Sequence, residues 1–297
     1  MKPRFECLKC ILTVRLREIE NTSVQSELKI QVARELLRLL IEDFSLNAEL
    51  TRLATSAFKL VVSRLPDIIE YYKKIKYEST LIALQDLKRH EEHVAKYTDR
   101  YEKFKYLVKL SGLANMIDYG VAEHAVSVKS IDPVSVEKTE LFIDHTHTFY
   151  EILRKGHLRV LWLFDNAGEA VYDTLLIKEI KSMGNTVLGA VKEEPGFQND
   201  ITLQDAVFSG LTSILDSVLT YRGSTIHIDN LSEEMLAAIN RCDLVIAKGM
   251  SHYEYLVENS IGKPVVFILV PKCDPVASTL GLNSRGKVVC TLCGGGI

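Results

Sequence analysis

Val160-Leu161-Trp162-Leu163-Phe164 is followed at once by Asp165-Asn166-Ala167-Gly168-Glu169. Five consecutive apolar residues are too few for a helix, and an apolar run that turns abruptly polar reads as a parallel strand buried on both faces. Downstream, Val171, Leu175, Leu176 and Ile180 recur at helical spacing until Gly184, which suits a helix stop, and 186–191 is apolar again. Strand, helix and strand in that order make a βαβ unit. The alternation continues with helices expected over 203–218 and 233–240 and strands over 244–247 and 265–270. It predicts an α/β fold, a Rossmann-like doubly wound sheet over 151–297, in which ligands bind outside the strand carboxyl ends near a topological switch.

Upstream the texture is different. Ile30, Val32, Leu36, Leu37, Leu40 and Ile41 recur mostly at helical spacing, and similar stripes cover 53–60 and 81–87, which predicts an all-helical N-terminal domain over 1–150. Pro66 and the glycines Gly112 and Gly120 punctuate it, and 127–136, with Pro133, reads as a loop. A chain of 297 residues is long enough for two domains, and 47% apolar residues supply a core, while 25% charged residues are ordinary for a globular protein. A net charge of -3 provides no broad positive field, so nucleic acid is not an expected partner. No apolar run approaches the length of a membrane span, and Met1 leads into Lys2-Pro3-Arg4-Phe5-Glu6 rather than a signal-peptide core. A cytoplasmic protein is expected.

Asp165 and Asn166 stand where the first strand yields to its helix. A carboxylate and an amide oxygen there suit a hard divalent cation such as Mg²⁺ or Mn²⁺, and the same two residue types also suit a helix cap. The second strand ends at Lys192, followed by Pro195-Gly196-Phe197-Gln198-Asn199-Asp200, with Thr202 and Asp205 beyond. Adjacent parallel strands bring their carboxyl ends together, so Asp200 can complete a metal site with Asp165 and Asn166 while Lys192 faces an anion; turn and cap chemistry is the plainer alternative. A third strand end carries Lys248-Gly249, an ammonium and backbone N–H groups fit to meet a phosphate.

In order and spacing, Asp165 to Glu169, Lys192 with Asn199, Asp200, Thr202 and Asp205, Ala247-Lys248-Gly249-Met250, and Lys272-Cys273 with Val276-Ala277 resemble the motifs of the damage-control phosphatase family, also called acidic-residue-methyltransferase-like. Cys7-x-x-Cys10 and Asn115-x-x-Asp118-x-Gly120 are similar to its archaeal and bacterial branch. The resemblance implies a divalent metal (Mn²⁺, Ni²⁺, Co²⁺ or Mg²⁺) held by Asp165, Asn166 and Asp200. It also implies hydrolysis of small phosphorylated metabolites such as sugar phosphates, with Lys248 near the phosphate. Water is the expected nucleophile and an aspartyl phosphate at Asp165 the alternative. Glu169 and Asp205 are candidates to orient water or to cap helices, and Asn115 and Asp118 are expected to project from the helical part into a cleft between the domains. Two departures stand out: Ile11-Leu12-Thr13-Val14-Arg15 follows Cys10 where an Arg-Gln pair is expected sooner, and Met250-Ser251-His252-Tyr253 replaces a Gly-Asn step.

Two other readings compete. An S-adenosylmethionine-dependent carboxyl methyltransferase would use the same strand ends, but only Ala167-Gly168 follows the first strand where close cofactor approach wants more glycine. A non-catalytic metal-binding protein would leave the cap-like residues as caps. Cys7, Cys10, Cys290 and Cys293 have the pair spacing of a structural zinc site if the fold brings the two ends of the chain together, against which Gly294-Gly295-Gly296 suggests a mobile tail. Asp144-His145-Thr146-His147 reads as surface, and Ser251 beside His252 does not make a nucleophile pair. Neither dinucleotide nor P-loop glycine motifs occur.

Overall fold

The computed structural model describes residues 1–118 and 130–294. Gly120, the start of the segment read as a loop, and Gly295 and Gly296 lie outside the described residues. Five helices come first: α1 (Phe5–Glu20), α2 (Ser26–Asp43), α3 (Leu50–Arg64), α4 (Asp67–Val94) and α5 (Arg100–Ala114). Then follow α6 (Pro133–Lys138), β1 (Leu141–Asp144), α7 (Thr146–Leu153), β2 (Arg159–Leu163), α8 (Ala167–Ser182), β3 (Thr186–Lys192), α9 (Leu203–Phe208) and β4 (Ser217–Tyr221). The chain ends with α10 (Glu233–Arg241), β5 (Leu244–Lys248), α11 (Gly249–Leu256), β6 (Val265–Leu269), α12 (Asp274–Thr279) and β7 (Val288–Cys293). No described helix is long and apolar enough to cross a membrane.

The strands form one sheet in the order β1-β7-β6-β5-β2-β3-β4. Five of them, β6 through β4, are mutually parallel; β7 pairs antiparallel to β6, and β1 pairs parallel to β7. Side chains alternate across a strand, so Leu161 and Leu163 of β2 enter one core while Val160 and Trp162 enter the other. The first core takes Val32, Leu36 and Leu53 from α2 and α3; the second takes Phe104, Leu107, Val171 and Leu176 from α5 and α8. Helix α4 serves both, with Ile68 and Tyr72 in the first and Ala83 and Val94 in the second. Each buried aliphatic side chain contributes about 1.5–3 kcal/mol, which is why sheet and helices hold together. A β-carbon on Gly168 would meet Ser79 Cβ at 2.8 Å, so a glycine is what lets α8 lie close on α4.

Several expectations change. Helices and sheet share both cores, and β1 joins the sheet before residue 150, so the boundary expected there marks a change of sequence texture without dividing a core. The helix expected over 203–218 stops at Phe208, because Gly210 takes a left-handed φ of 77°, and 217–221 is an edge strand. Asp132 caps a short helix, α6, inside the segment read as a loop, its carboxylate accepting from the N–H groups of Val134 and Ser135.

Candidate active site

The chain passes from β4 back across β2 to reach β5, so strand order reverses between β2 and β5, and a crevice opens beyond their carboxyl ends. Asp165 follows β2 there, and the loop after β3 is stitched onto it: Ile201 N–H donates to Asp165 O (2.8 Å) and Ala167 N–H to Asn199 O (3.1 Å). An isolated bridge pairs Asn166 with Asp200. Backbone hydrogen bonds thus bring Asp165, Asn166 and Asp200 together. Gly249 opens α11 with φ 77°, and a β-carbon there would lie 1.9 Å from Asp165 Oδ2, so only glycine leaves room for that carboxylate.

Amide side chains then fix the carboxylates. Asn115 Oδ1 accepts from Val270 N–H (3.1 Å), which turns its NH₂ toward Asp165 Oδ2 and Glu169 Oε2, both at 2.9 Å. Asn166 Nδ2 donates to the same two oxygens at 2.9 Å, and its Oδ1 accepts from Asn199 (2.7 Å) while keeping a second lone pair. Burial pushes Asp165 well above the usual carboxylate range, and repulsion from Glu169, Asp200 and Asp118 adds to it; Lys272 opposes the shift. Burial likewise raises Asp200 to about 7, against the pull of Lys192. Lys192 spends its ammonium on Tyr221 Oη (2.5 Å), Ser224 O (2.8 Å) and Asp200 Oδ2 (3.3 Å). Lys272 Nζ pairs with Asp118 Oδ2 at 2.7 Å.

Asp118, Asp165, Asn166 and Asp200 form the floor of a cavity of about 210 Å³, with residues of α1, α3 and α11 around it. The donor set fits a divalent cation. Crowded carboxylates held above their ordinary range are relieved by positive charge, and a glycine clears the way to one of them. Among the described residues no three His, Cys, Asp or Glu side chains converge on one ion, so the available set is two carboxylates and one amide.

The remaining candidates fall elsewhere. Lys248, expected at the phosphate, is fully buried beneath the floor; its Nζ meets Ser111 O (2.7 Å), Ser111 Oγ (2.6 Å), Asp173 Oδ1 (3.0 Å) and Glu169 Oε1 (2.9 Å). The two Ser111 oxygens and Asp173 Oδ1 take its three protons and Glu169 is paired by charge, so it neutralises two buried carboxylates and has no proton left for substrate. Glu169 is wholly buried, closes the capping box of α8 and serves Lys248, so it orients no water. Asp205 caps α9 with Thr202 and pairs with Lys76 at 2.6 Å. Asn115 acts through Asp165. Ser251 donates to Ser224 O (2.9 Å) and His252 meets Tyr221 Oη (2.8 Å), so they do not pair. His145 Nδ1 accepts from Leu292 N–H (3.0 Å) at the far edge of the sheet.

The zinc expectation fails on strand geometry. Cys290 and Cys293 are three apart on β7 and leave opposite faces: Cys290 is buried in the core with Ile268, and Cys293 is exposed. Cys7 lies in the other core, and it is Cys273 that stands near Cys7 and Cys10. Sequence reasoning also missed Arg15, Gln198 and Glu254, all lining the cavity. A buried charge on the apolar stripe of α1 was the signal for Arg15; loops and helix faces gave none for the others.

Comparison with known proteins gives the family and the fold. The family model described as damage-control phosphatase ARMT1-like domain matches residues 5–288. A damage-control phosphatase of Archaeoglobus fulgidus is 34% identical over 281 residues, covering 93% of this chain and 94% of that one. One of Pyrococcus horikoshii is 26% identical over 296 residues, 98% of each. The crystal structure of a DUF89 family protein from Pyrococcus horikoshii superposes with a TM-score of 0.80 at 27% identity, covering 98% of both chains.

Proposed function

Since the chain belongs to the damage-control phosphatase family, we propose that it is a phosphatase that hydrolyses small phosphorylated metabolites at a divalent cation held by Asp165, Asn166 and Asp200. The observation that carries this reading is the convergence of Asp165 and Asp200, from two loops tied by the Asn166 and Asp200 bridge, under a cavity sized for a small ester. When bound, the cation supplies counter-charge to the phosphate and activates water.

The chain's own residues prepare the site. Asn115 and Asn166 both donate to Asp165 Oδ2 and hold that carboxylate in one orientation. Those two N–H bonds engage Oδ2 and leave Oδ1 open to ligate a cation. Lys192 fixes Asp200 from behind, and Lys272, in contact with Asp118, offsets the negative charge of Asp165.

The test is release of inorganic phosphate from a panel of small phosphate esters by wild type, Asp165→Ala and Asp200→Asn, with thermal melts as a folding control. Both variants should melt near the wild type and lose at least about 100-fold in kcat/KM, the scale of a lost electrostatic contact to the transition state. Full turnover in both folded variants would reduce these residues to caps.

A further inference from the structure

Charged side chains stand around the cavity in two different settings. Glu6, Lys9 and Asp274 line it and are exposed, so water reaches their charges. Arg15 lines it too, yet it belongs to the buried stripe of α1 with Ile11, Val14 and Ile19 and is only 3% exposed. Its Nη2 donates to Glu18 Oε1 at 2.7 Å, while its Nε–H, wholly buried, has no acceptor. Buried polar groups are nearly all hydrogen-bonded, and a donor on a charged group is the costliest to leave unmatched. A group seated in the cavity against Arg15 can supply what the protein does not.

The guanidinium is held in one place. Its central carbon lies 4.9 Å from the centre of the Phe58 ring and 5.9 Å from that of Phe197, and Tyr72 donates to the same Glu18 oxygen that Arg15 pairs with. Its height on the wall decides what it touches. The cations that act most on the floor carboxylates are Lys272 on Asp165 and Lys192, then Lys76, on Asp200. Arg15 is not among them, so it stands up the wall from the metal ligands, beside Phe197, where the part of a bound ester beyond its phosphate lies. Glu18 already offsets its charge, so the unspent N–H suits a neutral oxygen rather than a second anion.

Resting on the phosphatase reading, we propose that Arg15 is a specificity-determining residue that reads the alcohol part of the substrate, its Nε–H donating to a hydroxyl oxygen of the leaving group. A hydroxyl taken from water needs such a partner or costs free energy. The floor recognises only the phosphate, which every substrate shares. Arg15 therefore discriminates hydroxylated esters from plain alkyl ones.

The experiment measures kcat/KM for sorbitol 6-phosphate and hexyl phosphate by phosphate release from metal-supplied protein. Both carry the same phosphate on a chain of the same length, so their ratio isolates the hydroxyls. Arg15→Met alone would leave Glu18 buried without its partner, so the pair Arg15→Met/Glu18→Gln is compared with Glu18→Gln, with thermal melts on each. The sorbitol to hexyl ratio should fall about 10–100-fold from the control to the double variant, the scale of one hydrogen bond to a charged group. Arg15→Lys, which keeps a charge beside Glu18 but has no Nε–H, should lower the ratio as well. An unchanged ratio in the folded variants, or an equal loss on both esters as a structural or phosphate-binding role would give, overturns the reading of Arg15, while hydrolysis itself leaves the phosphatase reading standing. No hydrolysis of any small phosphate ester by wild type with any divalent metal overturns both.

Discussion

Replacing Lys248 with methionine removes one buried positive charge while nearly keeping side-chain volume. In the wild type Lys248, Glu169 and Asp173 have no exposed side-chain surface, and the ammonium lies 2.9 Å from one carboxylate and 3.0 Å from the other. Taking away one partner of a buried charge cluster costs about 3–5 kcal/mol, because the carboxylates left behind are desolvated without compensation. Domains are stable by only about 5–15 kcal/mol, so roughly a fifth or more of the total is at stake. For a chain of this size about 2–4 °C of melting temperature goes with each kcal/mol, which sets the expected loss at roughly 6–20 °C. Adding Asp173→Asn should recover part of it. Thermal melts and KM for a phosphate ester, measured on both variants, decide the matter. A melt unchanged within about 2 °C together with a KM raised about 10-fold, the scale of one lost charge contact, would put the ammonium on substrate and refute this reasoning.

Gly249→Ala forces a side chain onto a left-handed backbone at about 1–2 kcal/mol and drives it against Asp165, so metal affinity by calorimetric titration and kcat should both fall, kcat by about 100-fold. Asp205→Asn keeps a capping side chain but weakens the contact with Lys76; the melt should drop by a few degrees while turnover stays within about twofold. Glu254 is raised from 4.5 to about 7 by burial, so the folded state holds its proton more tightly than the unfolded chain does. Stability from this group is therefore full below about pH 4.5 and falls as pH rises through 7, by at most about 3 kcal/mol. Denaturant unfolding at pH 5 and pH 8 should show a smaller fall in Glu254→Gln than in wild type.

How much of this was legible in the sequence varies from element to element. The run from Val160 to Glu169 announced both a buried strand and the turn that carries the site, because a continuous apolar stretch has few other uses and the polar residues after it sit at a strand end. The meeting of Asn166 with Asp200 followed from parallel neighbours ending side by side. Strands β1 and β7 were not legible: β1 has only four residues, and its partner β7 lies far away in the chain, which no local period records. Lys248 misled because a strand-end lysine looks the same whether it points out of the crevice or down into the core. Burial decides, and burial depends on Ser111 and Asp173, which come from two other helices. The thiol pair on α1 had the spacing of a metal motif, yet that spacing also places apolar side chains on one helix face.

The most direct test of the metal-dependent phosphatase is hydrolysis by protein stripped with chelator and then resupplied with Mn²⁺, Ni²⁺, Co²⁺ or Mg²⁺ one at a time, with bound metal counted by equilibrium dialysis. Stripped protein should release no phosphate above background, and activity should return in step with about one ion bound per chain, the capacity of one two-carboxylate, one-amide site. Asp200→Asn should neither bind the ion at that stoichiometry nor recover. Undiminished hydrolysis by fully stripped, folded protein would contradict the assignment of Asp165, Asn166 and Asp200 as a catalytic metal site.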